Sequence, residues 1–417
     1  MIFLFINIFL VFILLLLTSI YIFIKRNNKK VFFIFILLVQ YFYLINTPLH
    51  NVIISDFHAV NKYIKDIYPF GFFILLLHLF IFIISYLYFK TRNLTPQKLI
   101  YDVSNKKILT TFIFLYLIIF INTLSGGINL IDIIKGKDVG STLGLKGTSY
   151  YLQNFADSLI TLIIAAFVIK TNKLTLIIMI ILSFILFLIL GFRYRIILTI
   201  FALLIFYFHN RNLVLSDFIK IKILLLTFFY FIFFITSNRT SFFTQKFDKI
   251  EYNPNNFDYS VIYDQTRGSV VDFAIYKALQ NKEISHDYGN TMFLYVFIKI
   301  IPAQFFKFGE KPYPPPMLVD IDSSLSVSRD YGEASTILGS SYYSFSIFGI
   351  ILFSILLAFV ISSLENSIYN NNYYFIRNVM ILMSIFQLIT RGYFPQFIDH
   401  LVYMMFPLLL IRKKIKQ

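Results

Sequence analysis

The chain has 417 residues, of which 58% are apolar, and it carries 52 phenylalanines and a formal net charge of +16. Its mean hydropathy is +0.75, and several apolar runs approach the roughly 20 residues that cross about 30 Å of hydrocarbon. These continuous runs predict a polytopic all-α membrane protein, since a β-barrel would show short alternating segments. The basic residues lie between the runs without a contiguous patch, which argues against nucleic acid as a partner. With no cysteine and six histidines, disulfides and thiolate chemistry are excluded and a structural zinc site is disfavoured.

In chain order, the apolar segments predict about eleven membrane-spanning helices. They cover about 2–24, 31–46, 70–89, 108–124, 151–169, 174–191, 196–208, 223–237, 336–361, 376–390 and 397–411. The first segment has no basic n-region and no small-residue cleavage site, so we expect a retained span rather than a signal peptide. The chain is thus predicted to divide into N-terminal spans (1–237), one large polar loop (238–335) and C-terminal spans (336–417).

Lysine and arginine in the short loops predict the orientation in the membrane, because cytoplasmic loops carry an excess of both. Alternate short loops hold 19 Lys and Arg, whereas the short loops on the opposite side hold 8. The basic set comprises 25–30, 90–107, 170–173, 209–222, 362–377 and 412–417. We therefore expect the N-terminus outside, the C-terminus in the cytoplasm, and the large loop on the outer face.

Two stretches of the large loop have helical or apolar character. Segment 257–281 has apolar residues at helical spacing in two pieces. Segment 291–302, TMFLYVFIKIIP, is apolar but too short to span the membrane. It predicts either an amphipathic helix in the membrane interface or a buried re-entrant segment.

Arginines collect on the predicted outer side, where short loops are usually poor in cations. They are Arg193, Arg195, Arg239, Arg267, Arg329 and Arg391. Arginine presents a planar, always charged fork that binds phosphate oxygens bidentately. These residues are therefore candidate ligands for a lipid-linked pyrophosphate, and the alternative is that each extends to ordinary lipid phosphates.

Acid–base candidates also lie on the predicted outer side. They are Asp264, Asp272, His286, Asp287, Asp320, Asp322, Asp330, Glu333, Asp399 and His400. We select His286, Glu333 and Asp272 as candidate catalytic groups, and His286 is the most attractive because a histidine base suits proton removal from a sugar hydroxyl. Solvated loop positions are the alternative, and Glu333 could instead favour a helix dipole. Asp399 and His400 are either an outer-face pair or a helix-packing contact.

Metal chemistry receives little support from the sequence. Asp320 and Asp322 form a DxD pattern, but two carboxylates in a polar loop are a weak signal, and we expect no metal.

Four motifs resemble those of O-antigen/oligosaccharide repeat-unit polymerases of the Wzy type. They are GFRYR (191–195), IIPAQFFKFGEKP (300–312), EASTILGSSYYSFSIFGIILF (333–353) and TRGYFPQF (390–397). The resemblance covers the C-terminal half and the 174–208 hairpin. Two departures are Ala303, where an arginine often follows Ile-Pro, and Ser340-Ser341, where a Gly-Glu pair is common.

The resemblance implies a GT-C-like membrane glycosyltransferase in the bacterial inner membrane. Such an enzyme moves a growing glycan from undecaprenyl pyrophosphate onto a new lipid-linked repeat unit at the outer face. Because the leaving group is already a pyrophosphate, no nucleotide cofactor is expected. The family also implies a chain-length regulator protein as a partner.

Three other functions remain open from the sequence. An O-antigen ligase shares the topology and the outer arginines. A lipid-linked oligosaccharide flippase would have short loops and more charges within its spans. A scaffold for an envelope complex would not need the arginines.

Overall fold

The structure is a computed structural model, and it describes a core of helices joined by segments outside the described residues. The described residues are 31–45, 48, 63–91, 101–125, 152–190, 194–210, 230, 252–253, 268–301, 305–306, 335–367 and 371–414. The predicted spans at 2–24 and 223–237 fall outside this set, apart from Tyr230. The total of eleven spans and the three-part division of the chain therefore stay predictions.

Helices occupy the described apolar segments. They are α1 (Val31–Gln40, continued by a π-helical turn at Tyr41–Ile45), α2 (Tyr68–Thr91), α3 (Asn105–Ser125), α4 (Asp157–Val168), α5 (Lys173–Ile189), α6 (Tyr194–Asn210), α7 (Gly268–Gln280), α8 (Tyr295–Ile300), α9 (Ile337–Asn366), α10 (Asn372–Arg391) and α11 (Phe394–Ile411). Within the described residues, α2, α3, α9, α10 and α11 are long and apolar enough to span a membrane. Shorter apolar helices occupy 31–45, 152–168, 173–187 and 194–209.

Helix α10 lies at the centre of the bundle, and nearly all of its side chains are buried. It begins at Asn371, whose side chain accepts hydrogen bonds from the backbone of Tyr373 and Tyr374 and so satisfies free N–H groups of the first turn. It ends at Gly392, which adopts a left-handed conformation with φ of 59°. A residue without Cβ is needed there, because an added Cβ would meet the Thr336 carbonyl.

A small sheet marks one end of the bundle, which we call the strand end. Strand β1 (Tyr101–Val103) pairs antiparallel with β2 (Arg412–Lys414). Nearby, the buried Glu365 of α9 accepts the Phe33 N–H at 2.9 Å and contacts Lys90 at 3.3 Å. Parts of three loops that the sequence assigns to one side, 90–107, 362–377 and 412–417, therefore meet at one end, as predicted. That this end faces the cytoplasm stays a prediction.

Two segments of the predicted large loop pack onto the spans. Helix α7 is mostly buried, and the Phe273 ring lies against Gly71 of α2. A π-helical turn (Asn290–Leu294) followed by α8 covers most of the apolar segment 291–302. Of the stretch 257–281, the part from 268 is helical as predicted, and 257–267 lies outside the described residues.

Helix α9 is kinked one third of the way along. Phe345 and Ser346 leave helical geometry, and Ser346 has φ of 55° and ψ of −147°. The kink interrupts the i to i+4 hydrogen bonds of the helix, so backbone carbonyls in the preceding turn are free to accept bonds from other segments.

Candidate functional site

Several of the described helices begin at the end of the bundle opposite the sheet, which we call the site end, and four of them carry the polar contacts there. These are α4, α6, α9 and α11, and contacts between Asp157, Arg195 and His400 join three of them. The fourth joins through Gly392, which precedes α11 and packs against the carbonyl of Thr336 at the start of α9. Helix N-termini carry a partial positive charge and free N–H groups, so this end favours anions.

The first polar cluster at the site end consists of Asp157, Arg195 and His400. Arg195 donates from Nε to Asp157 Oδ1 at 2.5 Å, and His400 Nδ1 contacts Asp157 Oδ2. The Arg195 side chain is 0% exposed, and its Nη2 also reaches the Gln153 carbonyl at 3.4 Å. A buried carboxylate requires such partners, because an unpaired charge away from water is strongly unfavourable.

Arg195 lies in the first turn of α6, where the helix dipole disfavours a cation. Asp157, which lies in the first turn of α4 where the dipole favours an anion, offsets that effect. The sequence predicts Arg195 as a pyrophosphate ligand, and the structure instead places its guanidinium against Asp157. Because the side chain is 0% exposed, a pyrophosphate could reach the arginine only after the surrounding packing opened, so the ligand role stays a hypothesis.

The second cluster surrounds Asp272 of α7. Its Oδ1 accepts the Thr336 N–H at 2.7 Å, and its Oδ2 accepts a hydrogen bond from the Thr336 hydroxyl. The Gly339 N–H also bonds to this carboxyl, while the Thr336 hydroxyl accepts from the Leu338 N–H at 3.2 Å. Asp272 thus caps the N-terminus of α9, although it belongs to a segment distant in sequence.

Burial raises the pKa of Asp272 to about 7, and the hydrogen bonds from Thr336 and Gly339 act in the opposite direction. The carboxyl group therefore exchanges its proton near neutral pH, which suits acid–base chemistry. However, the side chain is buried and all its named bonds go to the start of α9. This geometry fits a group that positions the site better than one that touches substrate.

His286 lies on the turn between α7 and the 290–294 segment and is partly exposed. Its Nδ1 lies 2.9 Å from the carbonyl of Tyr343, one of the carbonyls released by the kink in α9. The N–H of Asp287 donates to the same carbonyl at 3.3 Å. Because a carbonyl only accepts, the Nδ1 atom carries a proton, and in the neutral imidazole Nε2 then has the lone pair of a base.

The turn at 391–395 borders the Asp157 and Asp272 clusters. Arg391 is exposed at the end of α10, and Gly392 lies on the backbone of Ser335 and Thr336, next to the Asp272 cluster. Gln396, in the first turn of α11, has its Nε2 3.4 Å from the Nε2 of His400. Of the predicted arginines in the described residues, Arg391 is therefore placed where a diphosphate in solvent or at the membrane surface could reach it.

Other predicted site residues lie outside the described residues. These are Glu333, Arg193, Arg239, Arg267 and Arg329. One alternative from the sequence is that Asp399 and His400 form a pair on the outer face. In the structure His400 instead contacts the buried Asp157. Among the described residues, no group of three His, Cys, Asp or Glu could hold a metal.

Asp157 is not among the site residues predicted from the sequence. The feature that could have identified it is an acidic residue inside an otherwise apolar predicted span, which is uncommon and often functional. Thr336 carried a second signal, a hydroxyl residue directly before an apolar helical run.

The fold and the site define a polytopic helical membrane protein with a polar, titratable cluster at one end of its bundle. The model of the family described as O-antigen polysaccharide polymerase Wzy matches residues 1–416, so the chain belongs to this family. A search of curated proteins found no match, and a search of solved structures found none either. Family membership supports the activity of a repeat-unit polymerase on lipid-linked oligosaccharides in the membrane.

Proposed function

We propose that this protein joins undecaprenyl-pyrophosphate-linked oligosaccharide repeat units by block transfer on the outer face of the bacterial inner membrane. The observation that carries the proposal is the geometry of His286. Its Nδ1–H is held by the Tyr343 carbonyl, so the lone pair of Nε2 is available to a hydroxyl group. The site end would then face outward, as the loop charges predict.

In the proposed reaction, His286 Nε2 takes the proton of an acceptor sugar hydroxyl on the new repeat unit. The hydroxyl oxygen forms a bond to the anomeric carbon of the growing glycan, and the bond from that carbon to the diphosphate oxygen breaks. Undecaprenyl pyrophosphate leaves with the electron pair. Both substrates are anchored in one leaflet, which provides proximity without a nucleotide cofactor.

Charge develops on the departing diphosphate, and cations at the site end would stabilise it. Arg391 is proposed as a direct ligand because it is exposed next to the clusters. Arg193, Arg239, Arg267 and Arg329 stay candidates for the same role, and Glu333 stays a candidate carboxylate. We propose Asp272 and Arg195 as positioning groups, since both side chains are buried.

The test is complementation of a deletion strain, with the surface glycan separated on a gel. His286→Ala should reduce the ladder to one repeat unit on the acceptor, whereas the matched histidine variant at the strand end, His209→Ala, should restore the full ladder. Arg391→Ala should shorten or abolish the ladder, and Arg391→Lys should restore it in part because lysine keeps the charge but loses the fork.

Other outcomes of the deletion would reject the proposal. Polymer that accumulates on the lipid carrier without reaching the acceptor indicates a ligase. Single lipid-linked units that accumulate on the inner leaflet indicate a flippase. If His286→Ala restores a full ladder at wild-type protein level, His286 is not the base.

A further inference from the structure

Large apolar side chains are exposed along one short segment at the site end, outside the predicted spans. We call them the 293–305 surface, and they are Phe293, Leu294, Phe297, Ile300, Ile301 and Phe305. Phe297 is 68% exposed, Ile300 73% and Phe305 74%. The first four recur at positions i, i+1, i+4 and i+7, so they form one helical face, and Ile301 follows directly after the helix. A contiguous apolar face of this kind marks a surface that contacts something other than water.

The opposite side of the segment packs on the bundle, where Thr291 and Met292 are buried. Phe293 lies at the edge between the two sides: it is 54% exposed, and its ring lies 5.7 Å from Phe394 of α11 and 6.3 Å from Phe345 at the kink of α9. The Tyr295 ring lies 5.8 Å from Tyr393. The segment is therefore held at the level where α9 kinks and α11 begins, which is the depth of a membrane interface for spans of this length.

The length of the segment excludes a crossing. Its helical part runs from Asn290 to Ile300, which at 1.5 Å per residue gives roughly 16 Å, about half of a hydrocarbon core. Ile301 is already extended, and Pro302 follows. At the edge of this face, Phe293 meets Phe345 at the kink of α9, and Phe348, three residues further along α9, is exposed.

Hydrogen bonds connect this segment rigidly to His286. Asp287 accepts the N–H groups of Gly289 at 3.0 Å and Thr291 at 2.8 Å, and it also accepts a bond from the Thr291 hydroxyl. His286 precedes this cap directly. The depth of its imidazole in the interface is therefore set by this segment together with the Tyr343 carbonyl of α9.

We propose that the 293–305 surface inserts into the outer-leaflet interface and so holds His286 at the depth of lipid phosphate groups. The occupant is the lipid surface itself, because Phe293 at the edge of this surface contacts Phe345 of α9, and α9 is a candidate span. The following turns of α9 expose Phe348, Leu352 and Leu356. The part about His286 rests on the proposed function. The part about lipid contact stands without it.

The experiment uses the absence of tryptophan from this chain. The variant Phe297→Trp gives a single tryptophan, whose red-edge excitation separates it from the 29 tyrosines. The full-length protein is reconstituted into phosphatidylethanolamine/phosphatidylglycerol vesicles with or without brominated acyl chains. Brominated lipid should quench this tryptophan about twofold, and aqueous acrylamide should quench it weakly. The matched controls are Gln280→Trp, exposed at the end of α7, and Phe348→Trp on the outer side of α9.

Each outcome of the quenching experiment decides the lipid contact. The lipid contact is supported if brominated lipid quenches Phe297→Trp to the same extent as Phe348→Trp. It is overturned if acrylamide quenches Phe297→Trp as strongly as it quenches Gln280→Trp. Protection from both quenchers also overturns it, because a protein partner would then cover the surface.

A second arm tests the consequence for His286. The double variant Phe297→Asn/Ile300→Asn should lower polymer yield roughly tenfold or more at unchanged protein level in the membrane. Phe297→Leu/Ile300→Leu should retain the yield. A full ladder from the asparagine pair would overturn the depth-setting role. A failure of His286→Ala to affect the ladder would reject the proposed base and leave the quenching result unchanged.

Discussion

Two carboxylates at the same end of the bundle, Asp157 and Asp272, are buried in different ways. Asp157 lies between a guanidinium and an imidazole, with Arg195 Nε at 2.5 Å. Asp272 is held by neutral donors, the N–H groups of Thr336 and Gly339 and the Thr336 hydroxyl. In the part of the chain described, no cation contacts Asp272.

The difference shows two ways in which a protein can bury a carboxyl group away from water. A buried anion with a cation partner keeps its charge, and Asp157 joins α4 to α6 by an ionic contact with Arg195 and to α11 by its contact with the His400 imidazole. A buried carboxyl with only helix N-terminal donors has a raised pKa and can bind a proton near neutral pH. We therefore expect Asp157 to stay charged and hold its helices together at all working pH values, so that its cluster is a fixed anchor. We expect Asp272 to change its protonation near neutral pH, so that its cluster is a titratable anchor.

The largest expected effect comes from breaking the anchor. Arg195→Met removes the cation and leaves Asp157 charged and buried, so we expect a loss of about 3–5 kcal/mol in unfolding free energy. Thermal unfolding of the detergent-solubilised protein measures it. The double variant Arg195→Met/Asp157→Asn should recover most of the loss, because the uncompensated charge is gone.

An unchanged midpoint in the single variant would contradict the anchor interpretation. Equal losses in the single and double variants would show that packing of the long arginine side chain matters more than the charge.

A smaller effect is expected at the contact between α9 and Asp272. Gly339→Ala places a methyl group against the Asp272 carboxyl group, so the close approach of the two helices must open, at about 1–3 kcal/mol. The same substitution in an Asp272→Ala background should be less destabilising, because the carboxyl oxygen is absent. The coupling between the two changes, measured as a double-mutant cycle, isolates this contact.

Additive effects would contradict the close approach that the structure shows. They would mean that the alanine at 339 is accommodated without moving Asp272.

The sequence predicted the helices well and the polar contacts poorly. Apolar runs at 70–89 and 376–390 became helices Tyr68–Thr91 and Asn372–Arg391, since hydropathy and length determine spans directly. The pairing of Asp157 with His400 joins residues 243 positions apart, and no local pattern encodes such a contact.

The sequence also does not predict the kink in α9. Ser346 is neither proline nor glycine, the usual signals for a kink, and the packing of Gly349 against the Ser341 carbonyl is visible only in three dimensions. His286 was selected from its type and its place in the loop. Its acceptor, the Tyr343 carbonyl, exists because of the kink, so the reason for its orientation could not be predicted.

The smallest predicted effect is a pH dependence that separates the two carboxylates. In the folded state the pKa of Asp272 is about 7, well above the value for an exposed aspartate. Between about pH 4 and 7 the folded protein therefore binds a proton that the unfolded chain does not, and this contribution to stability is lost as the pH rises through about 7. From pH 6 to 8 the unfolding free energy should fall by about 1 kcal/mol.

Thermal midpoints of the wild type and Asp272→Asn across this range provide the measurement. Asparagine cannot titrate, so its slope between pH 6 and 8 should be flatter than that of the wild type. In contrast, Asp157→Asn should leave the wild-type slope in place, because the guanidinium of Arg195 beside Asp157 keeps this carboxylate charged. Suppose the thermal midpoints of the wild type and Asp272→Asn change with pH in parallel. Then Asp272 does not bind a proton near neutral pH, and the two carboxylates do not differ in the way proposed.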